Sequence, residues 1–528
     1  MKQIFNLFTA LLGSLFIFGG CTKIDETVYD RIPADQFVPT EKDIPSLIAP
    51  VYTNLRPMHA SWHGNFDLQE ESADVIVTPV RPNGWFDGGT YQRMHEHKWN
   101  PVQSQPNNLW ANCYRGINLA NRLIFQIESG AIPVTIGKDN LVAEMKAARA
   151  YYYYNLLDNH GNVPIVTDYT DASLPKQSTR QQVYDFVIKE LTDNIPLLSD
   201  KADKLTYGRF NRWAAKGILA KVYLNAGVYT GTPQWDKCIQ ECNDIIAAAP
   251  GRYILEPDYK APFRTENQNS KELILTVPYD EILATEFNMH MKSLDPVQQF
   301  VFSMSAQPWG GSAAVPQFIN TYDPEDSRLK DTWIWGPQIN ATSGAVAITY
   351  SKHLNGIALS GSDQGYRMAK YEIKQGARAA LSVDYPLVRY SDILMMKAES
   401  LLRAGKPNEA ASIVSQVRER AFKSNPTKAQ VTGAQLMMGS SYQYGYYNSS
   451  ASITEIQGGA DILYGRFLDE LGWEFAAEGR RRQDIIRFGV FSSKIWFNHR
   501  PAAATRQLFP IPENELTKNP NLKQNTGY

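Results

Sequence analysis

The chain is poor in several things that would define other classes of protein. Only four of its 528 residues are cysteine. Cys113, Cys238 and Cys242 sit in helical patterns and form no spaced framework. Cys238 and Cys242 lie four apart on one helix face, where nearly parallel backbones disfavour a disulfide, so they read as buried thiols. Excess charge is missing too: 53 basic residues face 54 acidic ones, for a net charge of −1. That argues against a nucleic-acid binder, which shows a basic face. Past the N-terminus no stretch is long and apolar enough to cross a bilayer. His95-Glu96-His97, with His59 and His63, lacks the helical HExxH spacing and any cysteine pair, so no metal is expected. Convergent acid–base pairs are also lacking. Glu70 and Glu71 point to different sides of an extended chain. Glu474 and Glu478 are i, i+4 on a helix, where Arg480 to Arg482 can pair with them. Neither an enzyme nor a cofactor is expected.

What the chain has in plenty is aromatic: 11 Trp, 28 Tyr and 22 Phe, 12% in all. Flat rings with polar tips suit a sugar-binding surface as well as a core. The N-terminus begins with Lys2, runs through the apolar Leu7 to Phe18 and reaches Gly19-Gly20-Cys21. This reads as a secretory signal, too short to span a membrane. Its small residues before Cys21 resemble a bacterial lipobox, although Phe18 stands where Leu is usual. Lipid on Cys21 would anchor the protein without a spanning helix. Asp25 and Glu26 resemble the acidic tether of Bacteroidetes surface lipoproteins.

Helical periodicity marks Asp43 to Leu55, Asn108 to Glu128, Asn140 to Asp158 and Gln181 to Leu198. The four tyrosines 151–154 predict some rings packed and some facing outward. Arg209 to Ala226 and Trp235 to Ala249 form an αα-hairpin whose Trp213 and Gly217 match the first helix of a tetratricopeptide (TPR) unit. Val388 to Ala421 forms another, with Gly405 as the C′ residue and Pro407 at N1 of the second helix. Ile462 to Phe488 reads as one long helical run. Between them, 58–101 is a polar, aromatic loop region, 251–386 loses helical periodicity, and 424–459 is a further polar insertion. The fold class is therefore mainly α: a TPR-like helical-repeat scaffold with a large irregular, loop-rich insertion.

Several ordered segments carry a family resemblance. RYSDILMMKAESLLRAGKPNEA (389–410), LGWEFAAEGRRRQDIIRFG (471–489), AEMKAARAYYYYNLLDNHGNVPIVTD (143–168) and FPIPENELTKNPNLKQNTGY (509–528) resemble signature segments of the SusD/RagB family. So does the loop segment 69–101, and Arg481 and Arg482 depart from it where aromatics are common. The resemblance implies a SusD-like α-α superhelix with four TPR-like helix pairs and no catalysis. It implies a signal peptide at 1–20, a lipidated tether at 21–40 and an N-terminal region with a ligand loop at 41–250. A loop-rich insertion at 251–386 and C-terminal helix pairs with a tail at 387–528 would follow. Such proteins bind oligosaccharide or polysaccharide at the outer-membrane surface, lipid-anchored, as a lid on a SusC-like TonB-dependent transporter. RagB-type members take peptides instead, and a surface glycoside hydrolase is the remaining alternative.

The best single binding candidate is Trp85, presented between Asn83-Gly84 and Gly88-Gly89 on a loop the family places near its ligand. Asp67, Arg81, Asn83 and Asp87 are its polar neighbours in sequence, suited to charged hydrogen bonds with hydroxyls. Trp309 sits in the Gly/Pro-rich loop Gln307 to Gly311. Trp333 and Trp335 alternate, which in a strand puts both on one face, toward ligand or core. Arg367, Trp62, Tyr91 and the tyrosines between 442 and 447 complete the candidates. Trp110, Trp213, Trp235 and Trp473 fit apolar helix faces.

Overall fold

The computed structural model describes residues 43–82, 85–134 and 137–528. The expectations for residues 1–40, including Cys21, and for Asn83 lie outside them. Nine helices carry the scaffold described here. They are α1 (Ile44–Thr53), α2 (Ser104–Glu128), α3 (Lys138–Asn159), α4 (Arg180–Asn194), α5 (Arg212–Leu224), α6 (Trp235–Ala248), α7 (Tyr390–Arg403), α8 (Pro407–Arg418) and α9 (Gly465–Phe475). Each of α2 to α7 packs on the next in sequence, so these helices and α8 form one continuous row. The repeats, interrupted in sequence, are contiguous in space: α6 packs directly on α7 across the whole insertion. This is the mainly α, TPR-like arrangement. Among the described residues no helix is long and apolar enough to cross a membrane.

Local chemistry explains the row. Thr179 and Gln182 close a capping box on α4, and the Asn211 side chain caps α5. Gly405, at φ +77°, turns the chain out of α7, and Pro407 starts α8. Gly116 of α2 lets Tyr152 cross closely, since a Cβ there would fall 2.2 Å from the tyrosine ring. All four tyrosines of the α3 run are buried, contrary to the expected split. The helix is enclosed on every side, and each hydroxyl finds a partner: His59, Val51 O, Val166 O and Gln483.

The insertion is closed by a strand pair. Strand β1 (Leu273–Val277) runs antiparallel to β2 (Tyr385–Arg389), with Leu273 opposite Arg389. The last residue of β2, Arg389, leads directly into α7. Arg389 is buried and donates to Glu272, Glu474 and Glu478. The expected pairing of Glu474 and Glu478 with Arg480 to Arg482 therefore does not occur. Arg480 pairs with Asp392 and Asp484 instead, and Arg481 with Asp74. Arg482 lies over the Phe509 ring.

The helical run 462–488 is also two helices, α9 and α10 (Arg481–Arg487). Ala477 and Gly479 adopt positive φ and break it. Lys370 Nζ donates to the carbonyls of Glu474 and Ala476, and the Tyr371 hydroxyl to that of Ala477. Glu70 receives the backbone N–H groups of Gly479 and Arg480. Tertiary partners thus satisfy the groups that a continuous helix would have used.

Candidate functional site

A two-residue strand pair assembles the candidate site. Ile76–Val77 pairs antiparallel with Ala313–Ala314, which draws the loop region after α1 onto the insertion. The loop before Ala313 is held further by backbone bonds from Trp309 to Met291 and from Gly311 and Ser312 to Lys292. Trp85 and Trp309 then meet. Their rings are nearly parallel, at 8°, with centroids 5.9 Å apart. Trp62 adds its edge to Trp309 at 6.2 Å and is 44% exposed. Trp85 and Trp309 are half-buried. Gly311 lies directly under Trp85, where a Cβ would fall 2.8 Å from its indole nitrogen. The result is a three-tryptophan platform drawn from three separate loops.

The loops are held in strained conformations. His63 and Asp87 adopt positive φ without being glycine, a cost that accumulates where a chain must present side chains in a fixed way, whereas Gly88 and Gly89 reach the same region without strain. His63 packs its ring on Trp62 and bonds Asp87 through Nε2 at 2.8 Å. Gly64 is required by space: a Cβ would sit 2.7 Å from the His59 carbonyl oxygen.

Beneath the platform lies a buried ionic cluster. Lys292 donates to both Asp67 and Glu71. Burial pulls the lysine pKa down, but the two carboxylates outweigh it and hold the pKa above its ordinary value. Asp67 also accepts from the Tyr91 hydroxyl at 2.9 Å and from the His63 N–H. Burial, reinforced by the Asp67 charge, pushes the Tyr91 hydroxyl well up. Tyr91 in turn stacks against Trp85 at 6.1 Å. Glu71 accepts from Thr78 and Ser312.

The polar candidates are thus placed as supports. Asp67 is buried and committed to Lys292. Arg81 is buried and donates to the carbonyls of Gly311, Gly361 and Gln364, tying three loops together. Arg367 is buried and donates to Ser312 and Ser362 carbonyls. Burial lowers the pKa of both guanidinium groups. None of the three presents a side chain to solvent. Trp333 is buried near Phe318, and Trp335 is exposed, so the two do not share a face. The β-pairing covers only Trp333 and Ile334, and Gly336, at φ +70°, turns the chain just beyond Trp335. Tyr442 and Tyr444 are buried on Asp74.

His59, His95, His97 and His499 are buried. His95, His97 and His499 bond to backbone carbonyls, and burial holds His95 down to about 4 and His97 to about 3. Cys113, Cys238 and Cys242 are buried free thiols. Trp62, a weaker candidate from sequence, lies beside Trp309, and nothing in the sequence pointed to Lys292, whose partners are distant in the chain. The loop signal around Trp62 was present, but a lone lysine in an irregular segment carries none.

Two family models match the chain. One, described as starch-binding associating with outer membrane, covers residues 30–224, and the SusD family model covers 306–528. The starch-binding protein SusD of Bacteroides thetaiotaomicron is 22% identical, over 84% of this chain and 82% of its own. A SusD superfamily protein from Parabacteroides distasonis superposes with a TM-score of 0.73 at 19% identity, covering 93% of this chain and all of that one. Surface glycan-binding protein A from Bacteroides thetaiotaomicron, in complex with laminarihexaose, gives 0.69 at 19% identity, covering 92% and 100%.

Proposed function

The chain belongs to the SusD/RagB family, and from that premise we propose that it is a surface protein that binds glycan on the Trp62–Trp85–Trp309 platform. The observation that carries this reading is the near-parallel pair Trp85 and Trp309, joined in space from separate loops and kept partly open to solvent. Indole faces pack on the C–H faces of pyranose rings and cost little side-chain entropy, because their neighbours already fix them. The relative solved with laminarihexaose supports a carbohydrate in place of a peptide. In this reading Asp67, Arg81 and Arg367 position the loops, and Asn83, two positions before Trp85 in sequence, remains a candidate contact.

The cell-surface part of the proposal rests on the family description of outer-membrane association and on the leader ending at Cys21. Lipid on Cys21 anchors the protein, and the bound chain passes to a SusC-like TonB-dependent transporter. Affinity gel electrophoresis on a polysaccharide panel tests the binding role. Wild type is retarded without shortening the polymer, and Trp85→Ala and Trp309→Ala each lose about tenfold in affinity, about 1.4 kcal/mol. Wild-type mobility in both variants would remove the platform from the reading, and shortened products would replace binding by hydrolysis. Cys21→Ala is expected to move the protein from the membrane to the soluble fraction.

A further inference from the structure

Trp335 belongs to a different aromatic group. Its ring stacks on Tyr366 with centroids 5.3 Å apart and planes 16° apart. It is 38% exposed. The stack fixes the ring's orientation while part of the residue stays open to solvent. The ring also lines an open cleft of about 540 Å³. That volume lies within the ~300–1,000 Å³ typical of small-ligand sites. The remaining walls come from the short helix Ser327–Thr332, the segment 420–424 and Asp258. Lys330 and Asp331 line it too, beside Glu325, which is paired with Lys428, so a donor and an acceptor share the cleft with the ring. None of Trp62, Trp85 and Trp309 lines this cleft.

A flat aromatic wall with carboxylates and an ammonium group alongside is suited to a sugar: the ring takes the C–H face and the charged groups take hydroxyls. A site formed by the ring alone would be a hydrophobic spot. A site formed by the charges alone would be a solvated surface. We propose that the Trp335 cleft is a second carbohydrate site, taking one or two pyranose units independently of the Trp85–Trp309 platform. It rests on the glycan-binding reading and adds a consequence to it. Two weak sites on one protein hold a long polymer more tightly than either alone, through the high effective concentration of the second contact. A short oligosaccharide engages one site at a time and gains nothing.

The test uses laminarin and starch in native gels, laminarihexaose in calorimetry, and 5-fluorotryptophan-labelled protein in ¹⁹F NMR. The Trp335 signal is assigned from Trp335→Phe. Trp335→Ala is expected to lower polymer affinity about five- to tenfold and to leave hexaose affinity at the platform unchanged. Trp335→Phe, which keeps a flat face, recovers most of the polymer affinity. In the Trp85→Ala/Trp309→Ala double variant the Trp335 resonance still shifts with added sugar. If Trp335 stays unmoved while a polymer shifts Trp85 and Trp309, the second site is wrong and the platform stands. If Trp335→Ala abolishes hexaose binding as fully as Trp85→Ala, one site exists and independence is wrong. If neither polymer retards the wild type nor the hexaose binds, the glycan reading falls and this inference falls with it. Melting temperatures of the variants separate lost binding from lost folding.

Discussion

Lys292 is the residue whose removal should report most directly on how the platform is held. Lys292→Met keeps the methylene stem against the Phe66 and Tyr91 rings, where the ammonium now sits 5.5 and 4.7 Å from the centroids. It takes away the one cation that, among the described residues, bonds both Asp67 and Glu71. Breaking a buried pair by removing one partner typically costs 3–5 kcal/mol. Asp67 keeps Tyr91 and the His63 N–H, and Glu71 keeps Thr78 and Ser312. The expected loss therefore sits at the lower end, about 3 kcal/mol at pH 8.

The pH dependence has a definite sign. In the wild type the raised Lys292 pKa makes a contribution that is complete below the ordinary lysine value and is lost only as pH rises through the folded value. It is therefore flat between pH 5 and 8. In the variant two buried carboxylates face each other without a cation, so the native state takes up a proton that the unfolded chain does not. Stability then rises as pH falls, by up to about 1.4 kcal/mol per pH unit for each such proton. Urea unfolding at pH 5, 6.5 and 8 measures this, with Asp67→Asn/Lys292→Met as the control that abolishes most of the slope. A variant within about 1 kcal/mol of wild type at pH 8, or one with no recovery toward pH 5, would refute the account of a buried charge cluster under the tryptophans.

Gly311→Ala places a methyl group on the Trp85 indole; glycan affinity should fall nearly as far as in Trp85→Ala, read by affinity gels, while the melting temperature changes little. Glu70 is buried, and that burial pushes its carboxyl up to about 7. Wild-type stability should therefore decline as pH rises from about 4.5 to 7, and Glu70→Gln should flatten that window by up to about 1.4 kcal/mol per pH unit in urea titrations. Arg389→Met strips the only guanidinium bridging Glu272, Glu474 and Glu478 among the described residues. It should cost about 3–5 kcal/mol or abolish soluble expression, whereas replacing an exposed residue such as Leu283 should leave expression unchanged.

Local sequence carries the class of fold and the family. Helical periodicity, the Gly405–Pro407 punctuation and the ordered signature segments are local properties of the chain, written in residues a few positions apart. It also marked Trp85 and Trp309 as candidates, because tryptophan between glycines and prolines is a local signal of presentation. What it did not determine was anything that depends on two distant segments meeting. The enclosure of all four α3 tyrosines, the break at Ala477–Gly479 and the Arg389 carboxylate cluster each need partners far away in sequence. The same is true of the polar candidates. Asp67, Arg81 and Arg367 look like ligand groups as isolated letters, and packing turns them into buried supports. Alternation in the letters put Trp333 and Trp335 on one face, but the pairing with Arg367–Met368 stops at Ile334, and Trp333 is buried while Trp335 is exposed. The tertiary structure alone decided which tryptophans share a surface, because ring stacking and charge burial are set by three-dimensional proximity.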